Sequence, residues 1–214
     1  MTYNPKIHHR RSIRLKGYDY SKAGLYFITI CVKNHQCLFG NIVENKIILN
    51  DAGYMVEKWY YELENKYPDK KCREMIVMPN HFHCIVENTK IMNKHGMSIR
   101  DVNGTTIRDA HVGTSLHGRP KTNEQILKPQ YVINNKKYIA TIGDTMDWFK
   151  TMTTNEYIHG VKIYNWKRFD KKLWQRNYWE HIIRNGAEYK RIADYINENP
   201  AKWIDDKFNP QNSK

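Results

Sequence analysis

Two histidines set around a single apolar residue, His81 and His83 with Phe82 between, are the side chains in this 214-residue sequence whose type and spacing first suggest chemistry. They close the run Met78-Pro79-Asn80-His81-Phe82-His83, and the apolar residues Cys84, Ile85 and Val86 follow. An apolar run opened by Pro-Asn reads as a strand that starts at a turn. Alternate residues of a strand share a face, so the two imidazoles project together while Phe82 points into the core. Two converging imidazoles supply half the donors of a divalent metal site. Ten histidines will place some such pairs by chance, and it is the position at the head of a strand that gives this pair weight. A zinc hydrolase using His81, His83 and Cys84 is disfavoured, because Cys84 takes the opposite face.

The composition narrows the partner. Thirty-five Lys and Arg against 22 Asp and Glu leave a formal charge of +13. Such an excess favours a polyanion, since each phosphate neutralised releases condensed counterions. The sequence has no apolar run of about 18 residues and opens on polar residues without a signal-like segment, so a cytoplasmic protein that faces nucleic acid is expected rather than a membrane-surface binder. Aromatic residues make up 13% of the chain, with fifteen Tyr and six Trp. Most of these rings belong to a core, yet rings mixed with cations also suit unpaired bases. None of Cys31, Cys37, Cys72 and Cys84 forms a CxxC pair, so free thiols are expected.

The elements that must carry the pair can be read in order. Residues 1–24 form a basic arm. Residues 25–32 read as a buried strand, and 42–49 as two short strands around an Asn45-Lys46 turn. Asn50 or Asp51 can cap a helix running to about residue 66, with Met55, Trp59 and Leu63 on one face. Strands at 74–78 and 81–87 follow. Residues 88–140 are polar, contain four glycines and lack periodicity, which marks a long insertion. A second helix is expected over 141–157, a strand or strand–turn over 174–184, and a closing helix over 187–199, since Pro200 discourages helical geometry before it. Residues 204–214 read as a loose tail. The order gives an α+β fold: a ferredoxin-like split βαβ antiparallel sheet with helices on one face, within a single domain at 25–203.

Four ordered stretches carry a family resemblance: RSIRLKGY at 11–18 leading into YFITIC at 26–31, MPNHFH at 78–83, WQRNYWEHIIRN at 174–185, and DYINENP at 194–200. MPNHFH resembles the HUH motif of single-tyrosine transposases, and the other three resemble their REP-associated tyrosine transposase branch. The resemblance covers about 10–87 and 140–203 and misses the insertion. It implies a metal-dependent single-stranded DNA endonuclease and strand transferase acting on hairpin-bearing repeat DNA, with Mg²⁺ or Mn²⁺ as cofactor. Arg10, Arg11, Arg14, Lys16 and Arg176 are the expected DNA contacts. A homodimer is possible within the family. The alternative from another class is a repeat-DNA-binding protein of the same fold that does not cut.

That chemistry needs a phenol near the metal, to attack phosphorus and store the ester bond as a phosphotyrosine. Tyr178, Tyr189 and Tyr195 are candidates, and the resemblance selects Tyr195, in the last helix before Asn199-Pro200. Asn199 lies four residues on and so shares a helix face with Tyr195. It matches the family's third ligand beside His81 and His83, with Glu198 as a substitute. Tyr189 lies roughly 240° around the helix from Tyr195, so the two cannot aim at one metal. His181 is expected to be structural or DNA-facing, and Trp174 and Trp179 to be core.

Overall fold

The computed structural model describes residues 17–89, 137 and 139–212. Arg10, Arg11, Arg14 and Lys16, most of the insertion and the last two residues lie outside them.

The strands form where β-branched and aromatic residues cluster. β1 (Gly24–Cys31) is followed by a hairpin of β2 (Gly40–Val43) and β3 (Lys46–Leu49), which form a separate two-stranded sheet. The hairpin turn falls on Glu44 and Asn45, both at positive φ, one residue earlier than the expected Asn45-Lys46. Two such residues give the turn a twist that matches the strands. Helix α1 (Asp51–Lys66) begins where the Asn50 side chain accepts a hydrogen bond from Gly53 N. β4 (Lys70–Val77) and β5 (His81–Asn88) then run antiparallel around Pro79-Asn80. α2 (Ile142–Ile163) starts at a capping box between Thr141 and Asp144. β6 (Trp179–Ile183) and α3 (Gly186–Glu198) complete the core elements.

The main sheet has the order β4-β5-β1-β6, every neighbouring pair antiparallel. β5 therefore sits between the ends of the β1-α1-β4 unit, and β1 between the ends of β5-α2-β6, which is the interleaving of a ferredoxin-like fold. Two layers of apolar side chains lie on the two faces of this sheet. Tyr26, Ile28, Ile30, Phe82, Cys84 and Val86 join residues of α1 and α2 in the larger core. Phe27, Ile85 and Ile183 meet Ile192 and Ile196 of α3 in a smaller one. The expectation of helices on one face holds for α1 and α2. α3 departs from it and covers the other face, because its Ile192 and Ile196 recur four residues apart and need an apolar surface of their own.

The described residues on either side of the expected insertion are held together. Thr89 N donates to Asp69 O, Ile139 N to Asp69 Oδ2, and Lys137 N to Lys66 O. Asp69 also holds Lys70 Nζ at 2.7 Å, both side chains buried. These contacts gather around the Asn88 end of β5, about seven residues and roughly 23 Å of strand from His81. Thr89, Lys137 and Ile139 thus lie at the end of the sheet away from the histidines.

Residues 204–212 differ from the loose tail expected. A 3₁₀ segment Asn199–Asp205 carries the chain on, and Asn80 Nδ2 donates to Phe208 O at 2.7 Å. Asn209 is buried and donates from Nδ2 to Trp203 O.

Phe82 links the histidine strand to the helices: it is fully buried and packs on Tyr60 of α1 and Phe149 of α2. Phe82→Ala is expected to lower unfolding stability by about 3–5 kcal/mol, read from chemical denaturation midpoints.

Candidate active site

The register of β1 against β5 sets Thr29 opposite His83 and Cys31 opposite His81. Directly paired residues share a face, so both imidazoles lie on the α3 side of the sheet. Both are buried, and their rings are 4.6 Å apart between centroids.

Each imidazole is oriented by its Nδ1. For His81 the partner is Asn80 Oδ1, at 2.9 Å. Asn80 is itself fully buried, and its Nδ2 donates to His35 O and Phe208 O. With the amide nitrogen committed to two carbonyls, Oδ1 can only accept, so His81 Nδ1 carries the proton and Nε2 the lone pair. Nε2 is buried and has no hydrogen-bond partner. His83 Nδ1 lies 2.8 Å from Thr29 Oγ1, and with that hydroxyl accepting, its Nε2 is also a free lone pair.

Nε2 of His83 faces the Tyr195 hydroxyl at 3.5 Å. Phe27 supports the group from below, stacked on His83 and edge-on to Tyr195. Tyr195 is 37% exposed, so its hydroxyl end borders both the buried histidines and solvent. Asn199, one helical turn on, is 2% exposed, and its Oδ1 is buried without a partner. It stands close enough to His81 and Tyr195 to offset part of the shift that burial imposes on each. His81, His83, Tyr195 and Asn199, expected from the sequence to act together, are therefore brought to one place by β5, α3 and the residue that caps its C-terminus.

The other candidates lie elsewhere. The Tyr189 hydroxyl donates to the Glu74 carboxylate, at 2.6 and 2.8 Å, and burial with that carboxylate pushes its pKa up to about 12. Glu198 faces solvent and holds Lys202 at 2.7 Å, which removes it as a substitute ligand. His181 binds Glu188 at 2.7 Å. Arg176 is exposed in the segment between α2 and β6. Trp174 is core, with its Nε1 donating to Thr153 Oγ1, but Trp179 is 45% exposed and is not. All four cysteines are free thiols, and Cys84 lies in the α1–α2 core away from the histidines.

Asp206 was not legible as a site residue. Its Oδ1 accepts from Phe208 N at 2.6 Å, leaving Oδ2 3.9 Å from His81 Nε2. Trp203 and Phe208 pack on the His81 ring at 6.0 and 4.8 Å. The burial of this segment depends on Asn80, 128 positions away from Phe208 in sequence, and no local pattern announces it.

Burial sets the protonation states. It lowers His81 well below its ordinary value, with the neighbouring His83 adding to the shift, and it lowers His83 to about 3. Both imidazoles are neutral at pH 7 and have lone pairs to give. Burial raises the Tyr195 phenol above 10, with the Asp206 charge acting in the same direction, so the resting side chain is protonated. The buried orphan atoms His81 Nε2 and Asn199 Oδ1, with His83 Nε2 beside them, fit a divalent cation with two nitrogen donors and one amide oxygen. Among the described residues no group of three or more His, Cys, Asp and Glu side chains could hold a metal ion. Because the folded histidines resist protonation that the unfolded chain accepts below about 6.5, stability should be fully present above that pH and fall as pH drops toward 3. Urea midpoints at pH 7 and pH 5 should differ in that direction, with a slope of up to about 1.4 kcal/mol per pH unit for each histidine.

No family model matches the chain. An uncharacterised protein of Haemophilus influenzae is 36% identical over 206 residues, covering 96% of each chain. A REP-associated tyrosine transposase of Escherichia coli is 47% identical over 36 residues, 16% of this chain and 22% of its own. A second Haemophilus influenzae protein bearing that family name is 23% identical over 185 residues, 86% of this chain and 74% of its own. Among solved structures, a REP-associated tyrosine transposase bound to a REP hairpin shares 18% identity, with a TM-score of 0.48 over 88% of this chain and 73% of that one. No helix among the described residues is long and apolar enough to cross a membrane. In its ordered motifs and in these relatives, the chain is similar to REP-associated tyrosine transposases.

Proposed function

We propose that the chain is a metal-dependent endonuclease and strand transferase for single-stranded DNA, in which Tyr195 forms a 5′-phosphotyrosine bond at hairpin-bearing repeat DNA. One observation supports this most: the Tyr195 hydroxyl lies 3.5 Å from His83 Nε2, beside the unpartnered His81 Nε2 and Asn199 Oδ1. The hairpin-bearing substrate is carried over from the similarity to REP-associated tyrosine transposases.

His81 Nε2, His83 Nε2 and Asn199 Oδ1 would hold Mg²⁺ or Mn²⁺, with the Asp206 carboxylate next to His81 adding negative charge. When bound, such an ion withdraws charge from a non-bridging phosphate oxygen. The protein's own groups do the rest. Phe27 and His83 fix the Tyr195 ring so that its oxygen meets a phosphate laid on the open side of the site. Asn199 and Lys202 favour the phenolate against the burial that keeps the resting phenol protonated. Attack forms the Tyr195 O–P bond and breaks the bond from phosphorus to the 3′ oxygen, which leaves as a hydroxyl after taking a proton. A 3′-hydroxyl can later reverse the step, because the ester energy is kept in the phosphotyrosine.

The test is a denaturing gel with end-labelled single-stranded hairpin DNA and Mn²⁺. Wild type should give a covalent protein–DNA adduct, and Tyr195→Phe should reduce it about 100-fold or more, at least about 2.7 kcal/mol of barrier. His81→Ala and His83→Ala should lose cleavage while DNA binding stays within about threefold. Binding by wild type with no cleavage favours the repeat-binding alternative, and cleavage that survives Tyr195→Phe contradicts the nucleophile.

A further inference from the structure

An indole that is not in the core stands on the site face of the sheet. Trp179, at the head of edge strand β6, pairs directly with Thr29, the residue that orients His83. Thr29, His83 and Trp179 therefore form one row across three strands on the same face. Trp179 is 45% exposed, although its ring is held in place: parallel to His181 at 5.7 Å and 5°, and edge-on to Phe27 at 5.4 Å. His181 is in turn fixed by Glu188. Phe27 also touches Tyr195, so the indole lies two ring contacts from the proposed nucleophile. Lys190, Arg191 and Lys202 line one depression with Tyr195, together with Asp194 and with Glu198, which holds Lys202 at 2.7 Å.

We infer that Trp179 is a stacking platform for an unpaired base of the DNA strand whose phosphate meets Tyr195. Three features favour a nucleobase over a protein partner. The ring is about half exposed and held against two other rings, which suits one flat ligand. Lys190 and Arg191 line a depression with Tyr195, and the chain carries a charge of +13, so a strand crossing the site finds cations for its phosphates as well as a ring face. A base stacked on a side chain needs no sequence code, because every base has a π-face. The platform gives the single strand a fixed register along the row Trp179–Thr29–His83, holding a phosphate over the tyrosine.

The inference rests on the proposed single-stranded DNA substrate, and its test is separable from the chemistry. Fluorescence anisotropy would measure binding of a labelled oligothymidylate, and of the same backbone with abasic sites, in the uncut Tyr195→Phe background. Trp179→Leu, which keeps apolar bulk against Phe27, should weaken oligothymidylate binding about 5- to 150-fold, the range of one lost stack. It should leave abasic binding unchanged, and Trp179→Tyr should restore much of the loss. A thermal melt should stay within a few degrees of wild type. Equal loss on both DNAs, or no loss with Trp179→Leu, overturns the platform. Failure of the parent protein to bind oligothymidylate overturns it as well. Failure of cleavage with the stacking difference intact would sink the nuclease reading alone.

Discussion

The antiparallel pairing of β1 with β5 decides which side of the sheet each imidazole occupies, and everything at the site depends on it. Thr29 opposite His83 supplies the Nδ1 partner, and Phe27, two residues earlier on β1, supplies the ring on which His83 and Tyr195 rest. A slip of one residue would turn His81 and His83 into the α1–α2 core and Phe82 out of it. The fully buried Phe82, between Tyr60 and Phe149, opposes that slip with the strongest packing available on the strand. The same residue that separates the histidines in sequence thus fixes their direction in space.

A second layer holds what the strand aims. Asn80 commits both ends of its amide, to His81 on one side and to His35 and Phe208 on the other. It fixes the tautomer of His81 and at the same time ties down the segment that carries Asp206. α3 then closes the site from the opposite side of the chain's fold, its buried Ile192 and Ile196 seating Tyr195 and Asn199 over the pair. A buried imidazole nitrogen and a buried amide oxygen without partners, His81 Nε2 and Asn199 Oδ1, are costly to keep unless something uses them, and this is the physical reason for proposing a ligand there.

What could be read in the sequence followed from local periods. Two residues per strand repeat put His81 and His83 on one face, and four residues per helical contact joined Tyr195 to Asn199, with both arrangements seen in the fold. The Asn50 cap and the start of α2 at Thr141 were readable for the same local reason. The choice of Tyr195 over Tyr189 needed the family motif, since nothing near Tyr189 in sequence announces its bond to Glu74. Three features escaped. α3 covers the second face because apolar side chains of three strands converge there, a property of the sheet and not of any segment. Asp206 and Phe208 are fixed by Asn80, a contact made only after folding. Trp179 looks like core by type and motif, yet an edge strand leaves it half uncovered.

The claim that β5 and α3 together build one cation site is tested most directly by anomalous diffraction from crystals soaked in Mn²⁺. The account predicts a single strong peak in contact with His81 Nε2, His83 Nε2 and Asn199 Oδ1. A peak elsewhere on the chain, or a well-ordered site at saturating Mn²⁺ with no peak between these atoms, would contradict it.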